Sequence, residues 1–380
     1  MEVMAKVPRV VEGVNMNKGA VWVAKRIPDG YISGHANQAR ITQIDFNDPD
    51  NCLYSPDVIS HARETGIFSG KDKDFSFSDV YAPVDFGGAR ACDARVWAFF
   101  NRYADGMDQY LDYAMGHNLT NRMPLYVKPK VKLSVKDLAD MMRDHFEGTP
   151  MDMTCDIGAG GNALPYRWRP MTFKVDETSY VNERAIATQQ TGWWYVGQCR
   201  SDFPRDLGGL YWFAVDDAGT SALTPIYSVS TRVPECIEEG NGSMLEYSET
   251  SLFWIVNRVT QFAYLRYNQI GAEVREIVDA WENDMIEKTA QVDRAALALY
   301  RQDPALAREF LTQFSVNTAQ ELFNKWVALD KYLLVKYIDG NTKRQEPDGS
   351  FSNNGHDPRI PAYPRNDGYT QKWKESVVKD

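Results

Sequence analysis

The sequence contains no long hydrophobic run and no block of basic residues. Its apolar stretches fall well short of the ~18 residues that a membrane-spanning helix needs, so we predict no membrane span. Acidic residues outnumber basic ones by 52 to 42, which gives a formal net charge of -10. Because nucleic-acid backbones and anionic membranes attract basic patches, we expect no nucleic-acid partner and no attraction to such membranes.

Paired cysteines and paired histidines are missing as well. The five cysteines are dispersed, and none stands in a C-x-x-C or zinc-type spacing, which argues against a disulfide framework. The five histidines are also scattered, without an H-E-x-x-H motif. Spacing therefore gives no support for a metal site, and we predict no cofactor.

The sequence does contain ample material for a folded core, with 43% hydrophobic and 12% aromatic residues. Short β-prone pieces at 20–25, 31–34 and 40–44 alternate with polar turns, which predicts a meander of strands near the start. Aromatic-rich β-prone runs return over 149–231. These runs favour sheet core over a sugar-binding platform.

Helical patterns occupy the middle and the later part of the chain. Apolar residues at i, i+3, i+4 and i+7 predict a helix over 89–104. A second helix is predicted over 134–147, with a capping box formed by Ser134 and Asp137. Further helices are predicted over 252–286, and a helical hairpin over roughly 304–338. Sheet segments first and helices later indicate an α+β fold in which helices cover packed sheets.

One polar cluster stands out between residues 26 and 42. A Pro28-Asp29-Gly30 turn and a short strand lead into Gly34-His35-Ala36-Asn37-Gln38. Small residues let the backbone approach another group closely, and the polar side chains can then face a ligand. The alternative is a plain turn closed by Asn and His, because Asn tolerates a left-handed backbone.

This segment, with Val21-Trp22-Val23-Ala24 before it, resembles the central motif of the dipeptidase A-like cysteine peptidases. Those enzymes are N-terminal-nucleophile hydrolases related to penicillin V acylase and bile salt hydrolase. The similarity runs from about residue 10 to residue 267, and more weakly to the end. Further segments that resemble family motifs, in the same order, are 87–97, 156–160, 165–170, 182–192, 208–217 and 262–267.

The resemblance implies a four-layer αββα sandwich of the N-terminal-nucleophile hydrolase type, incomplete at its N-terminus, with additional C-terminal helices. We expect three regions on this basis. Residues 1–250 form the hydrolase core without its first strands, 251–338 a helical part that packs on the core, and 339–380 an irregular tail.

The resemblance also implies a nucleophile that this sequence does not show. In the family the first residue of the mature protein is a cysteine, and its α-amine activates the thiol. The first cysteine here is Cys52, in a loop-like stretch, so we expect the chain to be a fragment that is inactive alone. Localisation, cytoplasmic or periplasmic/extracellular, then depends on the missing N-terminus.

Five residues receive roles from the resemblance and their chemistry. Asn37 matches the asparagine that lines the oxyanion hole in the related acylases. Arg95 matches the arginine that lies beside the nucleophile in those enzymes, and Arg90 is the alternative candidate for that position. His35, Arg40 and Arg90 are candidates for substrate binding, since an arginine can hold a peptide carboxylate bidentately. The paired Asp216-Asp217 is expected to be structural, because neighbouring strand residues point to opposite faces.

The implied function is hydrolysis of dipeptides. Two alternatives stay open: an amidase or acylase of the same superfamily that cleaves a non-peptide amide, and a non-catalytic binding or structural protein. The expected partner is a dipeptide or another small amide. A homo-oligomer also stays open.

Overall fold

The computed structural model describes residues 1–6, 9–362 and 368–379. Helices and strands are both abundant, so the predicted α+β class is confirmed. The chain divides into two compact units. The first comprises Met1–Leu133 with Glu183–Ala185, and the second comprises Ser134–Asn182 with Ile186–Asp380. The predicted boundaries at residues 250 and 338 stay a prediction.

The first unit contains seven short strands among its described residues. A three-stranded antiparallel sheet has the order β1-β4-β6, and β2–β3 and β5–β7 form two separate pairs. The central strand carries Val21 and Val23, both fully buried, on the face that packs into the core. The strands are β1 (Glu2–Ala5), β2 (Val10–Val11), β3 (Val14–Asn15), β4 (Ala20–Lys25), β5 (Ile32–Ser33), β6 (Cys52–Tyr54) and β7 (Tyr126–Val127).

The helix predicted over 89–104 is present in two parts. A π-helical turn, Gly88–Asp93, runs directly into an α-helix, and the buried side chains Val96 and Phe100 lie on the core-facing side of that helix. The strand predicted at 40–44 is wrong, because only an isolated bridge from Gln43 to Ser76 forms there. The α-helices of this unit are α1 (Ser60–Glu64), α2 (Phe77–Tyr81), α3 (Ala94–Tyr103) and α4 (Leu111–Ala114).

In the second unit a central antiparallel sheet carries the aromatic runs at 193–196 and 210–215, whereas the run at 166–170 forms no strand. Its order is β10-β11-β12, and β8–β9 form a separate hairpin. Side chains alternate across the sheet, so Trp194 and Trp212 are buried in the core while Trp193 and Tyr195 are exposed. The prediction of sheet core therefore holds for one face of these runs only. The strands are β8 (Thr172–Val175), β9 (Thr178–Val181), β10 (Trp193–Cys199), β11 (Gly209–Val215) and β12 (Thr224–Tyr227).

The helices of the second unit pack on the buried face of that sheet and share one apolar core with it. Within the described residues, no helix combines the length and the apolar character needed to cross a bilayer. The α-helices are α5 (Val135–Met142), α6 (Leu252–Tyr264), α7 (Ala272–Gln302), α8 (Pro304–Tyr337) and α9 (Gln371–Lys379).

Several predicted helix boundaries are corrected by the structure. The capping box of Ser134 and Asp137 forms as predicted, but α5 ends at Met142 because the chain turns inward and Phe146 takes a left-handed φ of 66°. A π-helical turn, Tyr267–Gly271, separates α6 from α7. The predicted hairpin over 304–338 is one helix, since no glycine or proline follows Pro304 before its end.

The region after residue 339 carries some regular structure. Two isolated bridges, Gln345 with Phe351 and Asn353 with Pro361, and helix α9 all fall within it. The aromatic rings of Tyr369 and Trp373 stack on each other against Gly161, so this part of the tail packs on the second unit.

Candidate active site

The predicted polar cluster lies in the first unit, directly after β5. Gly34 comes close to α3: a Cβ on it would lie 3.1 Å from Cγ1 of Val96. Asn37 is exposed and has a left-handed φ of 72°, a conformation that asparagine adopts more readily than most residues. The chain therefore bends at Asn37, and the bend directs this amide to the surface of the unit.

Arg95 of α3 holds this bend. Its Nη2 donates to the carbonyl oxygen of Ala36 at 2.8 Å and to Oδ1 of Asn37 at 2.9 Å. Its Nε donates to the carbonyl oxygen of Ala91 at 2.9 Å, within its own helix. Because Oδ1 of Asn37 accepts from Arg95, the Nδ2 of that amide remains as a donor. The structure thus brings together two residues that the sequence assigned to the site.

The surroundings of Arg95 are partly buried and positively charged. Burial lowers the pKa of Arg95, and the charge of Arg184 lowers it further, while a hydrogen bond to the Cys92 side chain raises it. Arg184 belongs to the 183–185 segment that packs in the first unit. A site with two guanidinium groups favours anionic groups, including a thiolate or a substrate carboxylate.

His35 has a partner that sequence reasoning missed. Its Nε2 lies 2.7 Å from Oε1 of Glu2, on β1. The same carboxylate oxygen accepts the backbone N–H groups of Arg40 and Ile41. Burial alone would raise the pKa of Glu2, but these hydrogen bonds from His35 and the two amides lower it below its ordinary value. Residues 35–41 are therefore tied at both ends to one buried carboxylate.

No sequence signal pointed to Glu2. It lies in the stretch Glu2-Val3-Met4-Ala5, where the apolar residues alone would turn Val3 toward the core. The structure instead buries Glu2 and exposes Val3. A buried acid of this kind is tolerated because it is hydrogen-bonded. Its partners belong to a distant segment, since His35 lies 33 positions further along the chain, and for this reason no local pattern indicated them.

Arg40 lies on the buried side of the same segment. Its guanidinium donates to the carbonyl oxygens of Gly34 at 2.8 Å and Pro124 at 2.7 Å, and its Nε lies 3.5 Å from Oδ1 of Asp93. All three guanidinium nitrogens thus face protein groups, and only 5% of the residue is exposed. We therefore correct the substrate-binding role predicted for Arg40 to a structural one.

Arg90 forms an ion pair with Glu183. It stands in the π-helical turn that precedes α3, on the N-terminal side of Arg95. Glu183 is one-third exposed, whereas the Arg90 side chain is mostly buried. The segment that supplies Glu183 and Arg184 had been singled out by its resemblance to a family motif, so sequence did carry a signal for these two neighbours.

The second unit contains a separate cluster of buried polar groups. Asp216 and Asp217 follow β11 and are both fully buried, and Asp216 has a left-handed φ of 64°. Tyr264 donates to Oδ2 of Asp217 at 2.8 Å, and Asn257 donates to Oδ1 of Asp216 at 3.2 Å. Burial, and secondarily the charge of Asp217, raises the pKa of Asp216 to about 7. Because both residues lie beyond the end of β11, strand alternation does not separate their side chains, and the structural role of this pair stays a prediction.

The chemistry available around Asn37 is that of binding and stabilising negative charge. An amide donor fixed by an arginine can stabilise the oxyanion that forms when an amide carbonyl is attacked. Across the described ranges, no three His, Cys, Asp or Glu side chains lie close enough together to hold a metal ion.

The chain is similar in sequence to several proteins named as dipeptidases. The chain is 20% identical over 324 residues to a probable dipeptidase B of Streptococcus pyogenes serotype M1, covering 83% of this chain and 59% of that protein. It is 24% identical over 209 residues to a probable dipeptidase of Salmonella dublin, covering 55% and 42%. It is 20% identical over 275 residues to dipeptidase A of Lactobacillus helveticus, covering 72% and 51%.

The chain spans about half the length of each of these relatives. The family model described as Peptidase family C69 matches residues 10–280, most of the chain and all five candidate site residues. The resemblance to dipeptidase A-like cysteine peptidases is thereby confirmed, and the chain belongs to peptidase family C69.

Proposed function

We propose that the complete gene product is a cysteine-type dipeptidase. The observation that carries this proposal is the hydrogen bond from Arg95 to Oδ1 of Asn37, which leaves the amide Nδ2 as a donor on an exposed bend. The dipeptidase names of the relatives support the choice of a peptide bond over other amides. The first unit contributes one wall of the active site.

The attacking group in this proposal is a cysteine at the mature N-terminus, outside residues 1–380. Its α-amine, with a pKa of about 7.7–8.0, takes the thiol proton. The thiolate then attacks the peptide carbonyl, and the oxyanion that forms accepts a hydrogen bond from Nδ2 of Asn37. The proton passes to the leaving amine as the C–N bond breaks, and water hydrolyses the thioester to release the second amino acid.

Arg95 has two functions in this scheme. It orients the Asn37 amide through Oδ1, and its positive charge favours the thiolate over the thiol. Arg184 adds a second positive charge close by. Arg90 is paired with Glu183, so its contribution to substrate binding requires that the substrate carboxylate compete with Glu183.

We also propose the four-layer αββα arrangement for the complete gene product. The sheet β10-β11-β12 has helices on one face, and on its other face Trp193, Tyr195 and Tyr211 are exposed. A contiguous aromatic face of this kind is typical of a surface that another layer covers. Hydroxyl-radical labelling of these three residues tests the arrangement, because a covering layer protects them and an open face leaves them reactive.

A substrate panel tests the proposed activity. The complete gene product is incubated with dipeptides, tripeptides, N-acyl amino acids and simple amides, and the released amines are quantified. We expect hydrolysis of dipeptides that iodoacetamide abolishes, and no turnover after the N-terminal cysteine is replaced by alanine. Turnover of N-acyl amides without dipeptides would assign the protein to the amidases, and thiol-independent turnover would contradict the mechanism.

A further inference from the structure

Glu2 and His35 form a buried carboxylate–histidine pair at one end of the Asn37 bend. Glu2 is only 6% exposed, and Oε1 accepts hydrogen bonds from His35 Nε2 and from two backbone amides. The His35 side chain is 35% exposed, so the pair joins a buried charge to the surface beside Asn37.

The charge of this pair is fixed by its neighbours. The lowered pKa of Glu2 keeps it ionised at neutral pH. Arg40 also interacts electrostatically with Glu2, but Arg40 is itself paired with Asp93, which accepts a hydrogen bond from Tyr113. Arg122, which acts on Arg40, is paired with Asp79. Because Arg40 and Asp93 cancel, the Glu2–His35 pair retains a net negative charge when the imidazole is neutral.

The hydrogen bond to Glu2 also selects the tautomer of His35. An ionised carboxylate can only accept, so the neutral ring carries its proton on Nε2. Nδ1 is then a lone-pair acceptor, and it makes no hydrogen bond to the residues that the structure describes. The negative charge of the neighbouring carboxylate favours a positively charged donor at Nδ1.

The opposite side of the bend has the opposite charge. Arg95 contacts Ala36 and Asn37, and Arg184 acts on Arg95. Along residues 35–37 the surroundings therefore change from an anionic pair to cationic guanidinium groups. A dipeptide has the same polarity, with an ammonium group at one end and a carboxylate at the other.

We infer that the Glu2–His35 pair recognises the free α-ammonium group of the substrate, through a hydrogen bond to Nδ1 of His35. This inference rests on the proposed function and deepens it, because it explains why the substrate would be a dipeptide with a free N-terminus. In a dipeptide only the α-carbon lies between the ammonium nitrogen and the carbonyl carbon. An ammonium-binding group must therefore lie close to the oxyanion donor, and His35 is two residues from Asn37.

The test compares a dipeptide with its N-acetylated form in the complete gene product and in the variants Glu2→Gln and His35→Gln. We expect the natural protein to prefer the free dipeptide by at least about 100-fold in kcat/KM, a factor typical of recognition of one charged group. Glu2→Gln should reduce this preference at least tenfold, mainly by raising KM for the free dipeptide. The matched control is Asp105→Asn, which removes an exposed carboxylate of the same unit and should leave the ratio unchanged.

A binding measurement separates this inference from the proposed function. If no dipeptide is hydrolysed, the proposed function fails, and the inference is decided by the NMR signals of the His35 ring in an N-terminal cysteine-to-alanine variant. A shift on addition of the free dipeptide, absent with the N-acetyl form and lost in Glu2→Gln, would support it. Equal shifts with both forms, or an unchanged preference in active Glu2→Gln enzyme, would overturn it.

Discussion

Arg95 Nη2 donates to both the Ala36 carbonyl oxygen and Asn37 Oδ1, at 2.8 and 2.9 Å. One nitrogen therefore fixes both the backbone before the bend and the side-chain amide on it. The orientation of an asparagine amide is set by its hydrogen-bond partners, and an arginine can only donate. This contact makes Asn37 a donor toward the outside, and the first two predictions follow from it.

The first prediction concerns the oxyanion donor itself. In the complete gene product, Asn37→Ala should lower kcat for a dipeptide by about 10²–10³-fold with little change in KM, because the lost hydrogen bond acts mainly in the transition state. Steady-state kinetics measure this. The control is Asn47→Ala, an exposed asparagine in a turn of the same unit. A tenfold rise in KM at constant kcat would instead make Asn37 a substrate-binding residue.

The second prediction concerns the arginine that orients the amide. Arg95→Lys keeps a positive charge but cannot reproduce the three donor contacts of the guanidinium, so we expect kcat to fall about tenfold or more. In the double variant with Asn37→Ala the effects should not add, since Arg95 acts partly through that amide. Arg63→Lys, at an exposed ion pair with Asp72, is the matched control. Additive losses would show that the two residues act independently.

The third prediction is a pH dependence of stability that originates in Asp216. Its pKa is raised to about 7, and a free aspartate has a pKa near 3.9, so the unfolded chain loses this proton first. Between these two pH values the folded state binds more protons than the unfolded state, and stability falls as the pH rises. Above pH 7 the loss is complete.

The variant Asp216→Asn should remove this dependence, because an amide mimics the protonated acid. Between pH 5 and pH 8 the stability of the variant relative to the natural chain should increase by about 2–3 kcal/mol, because only the natural chain loses stability over this range. Urea unfolding and hydrogen exchange of the β11 amides at both pH values measure the difference. Asp206→Asn, at an exposed acid of the same unit, serves as the control. Parallel pH profiles for both chains would contradict the assignment.

The fourth prediction concerns a buried ion pair in the second unit. Arg143 and Glu282 are both buried and form a two-pronged contact, with Nη1 to Oε2 at 3.1 Å, and Glu282 also accepts the Leu223 amide at 2.9 Å. Glu282→Gln should destabilise this unit by about 3–5 kcal/mol, because it leaves the buried arginine charge with only its longer ion pair to Asp140, at 3.7 Å. Thermal and urea unfolding measure the loss. Glu287→Gln, exposed on the same helix, should change stability by less than about 0.5 kcal/mol.

Features encoded by neighbouring residues could be predicted from the sequence. The capping box of Ser134 and Asp137 forms because both partners lie within one helical turn. The strand at 20–25 and the helix around Arg95 follow from alternation and from the 3.6-residue period. A turn at Asn37 was one of the two alternatives for the polar cluster, since asparagine tolerates a left-handed backbone. All of these features depend on interactions between residues that are close in the sequence, so the sequence is sufficient to recognise them.

Features that depend on distant partners could not be predicted. Arg40 is a substrate-binding candidate in the sequence because an arginine can hold a carboxylate bidentately, yet the carbonyl oxygens of Gly34 and Pro124 bind it inside the unit. The role of Glu2 could not be predicted, because a single acidic residue in a strand gives no sequence signal that it is buried or that it contacts His35. The helix over 134–147 was predicted too long because nothing local indicates that Arg143 turns inward to meet Glu282.

The sequence by itself determined the α+β class and the family, and it proposed Asn37 and Arg95 as candidate site residues. Only the tertiary structure decided which polar groups are buried, which amide oxygen Arg95 holds, and that Glu2 supports His35. The physical reason is that a buried charge is tolerated only where partners from distant segments satisfy it. Whether those partners meet is decided by how the whole chain packs.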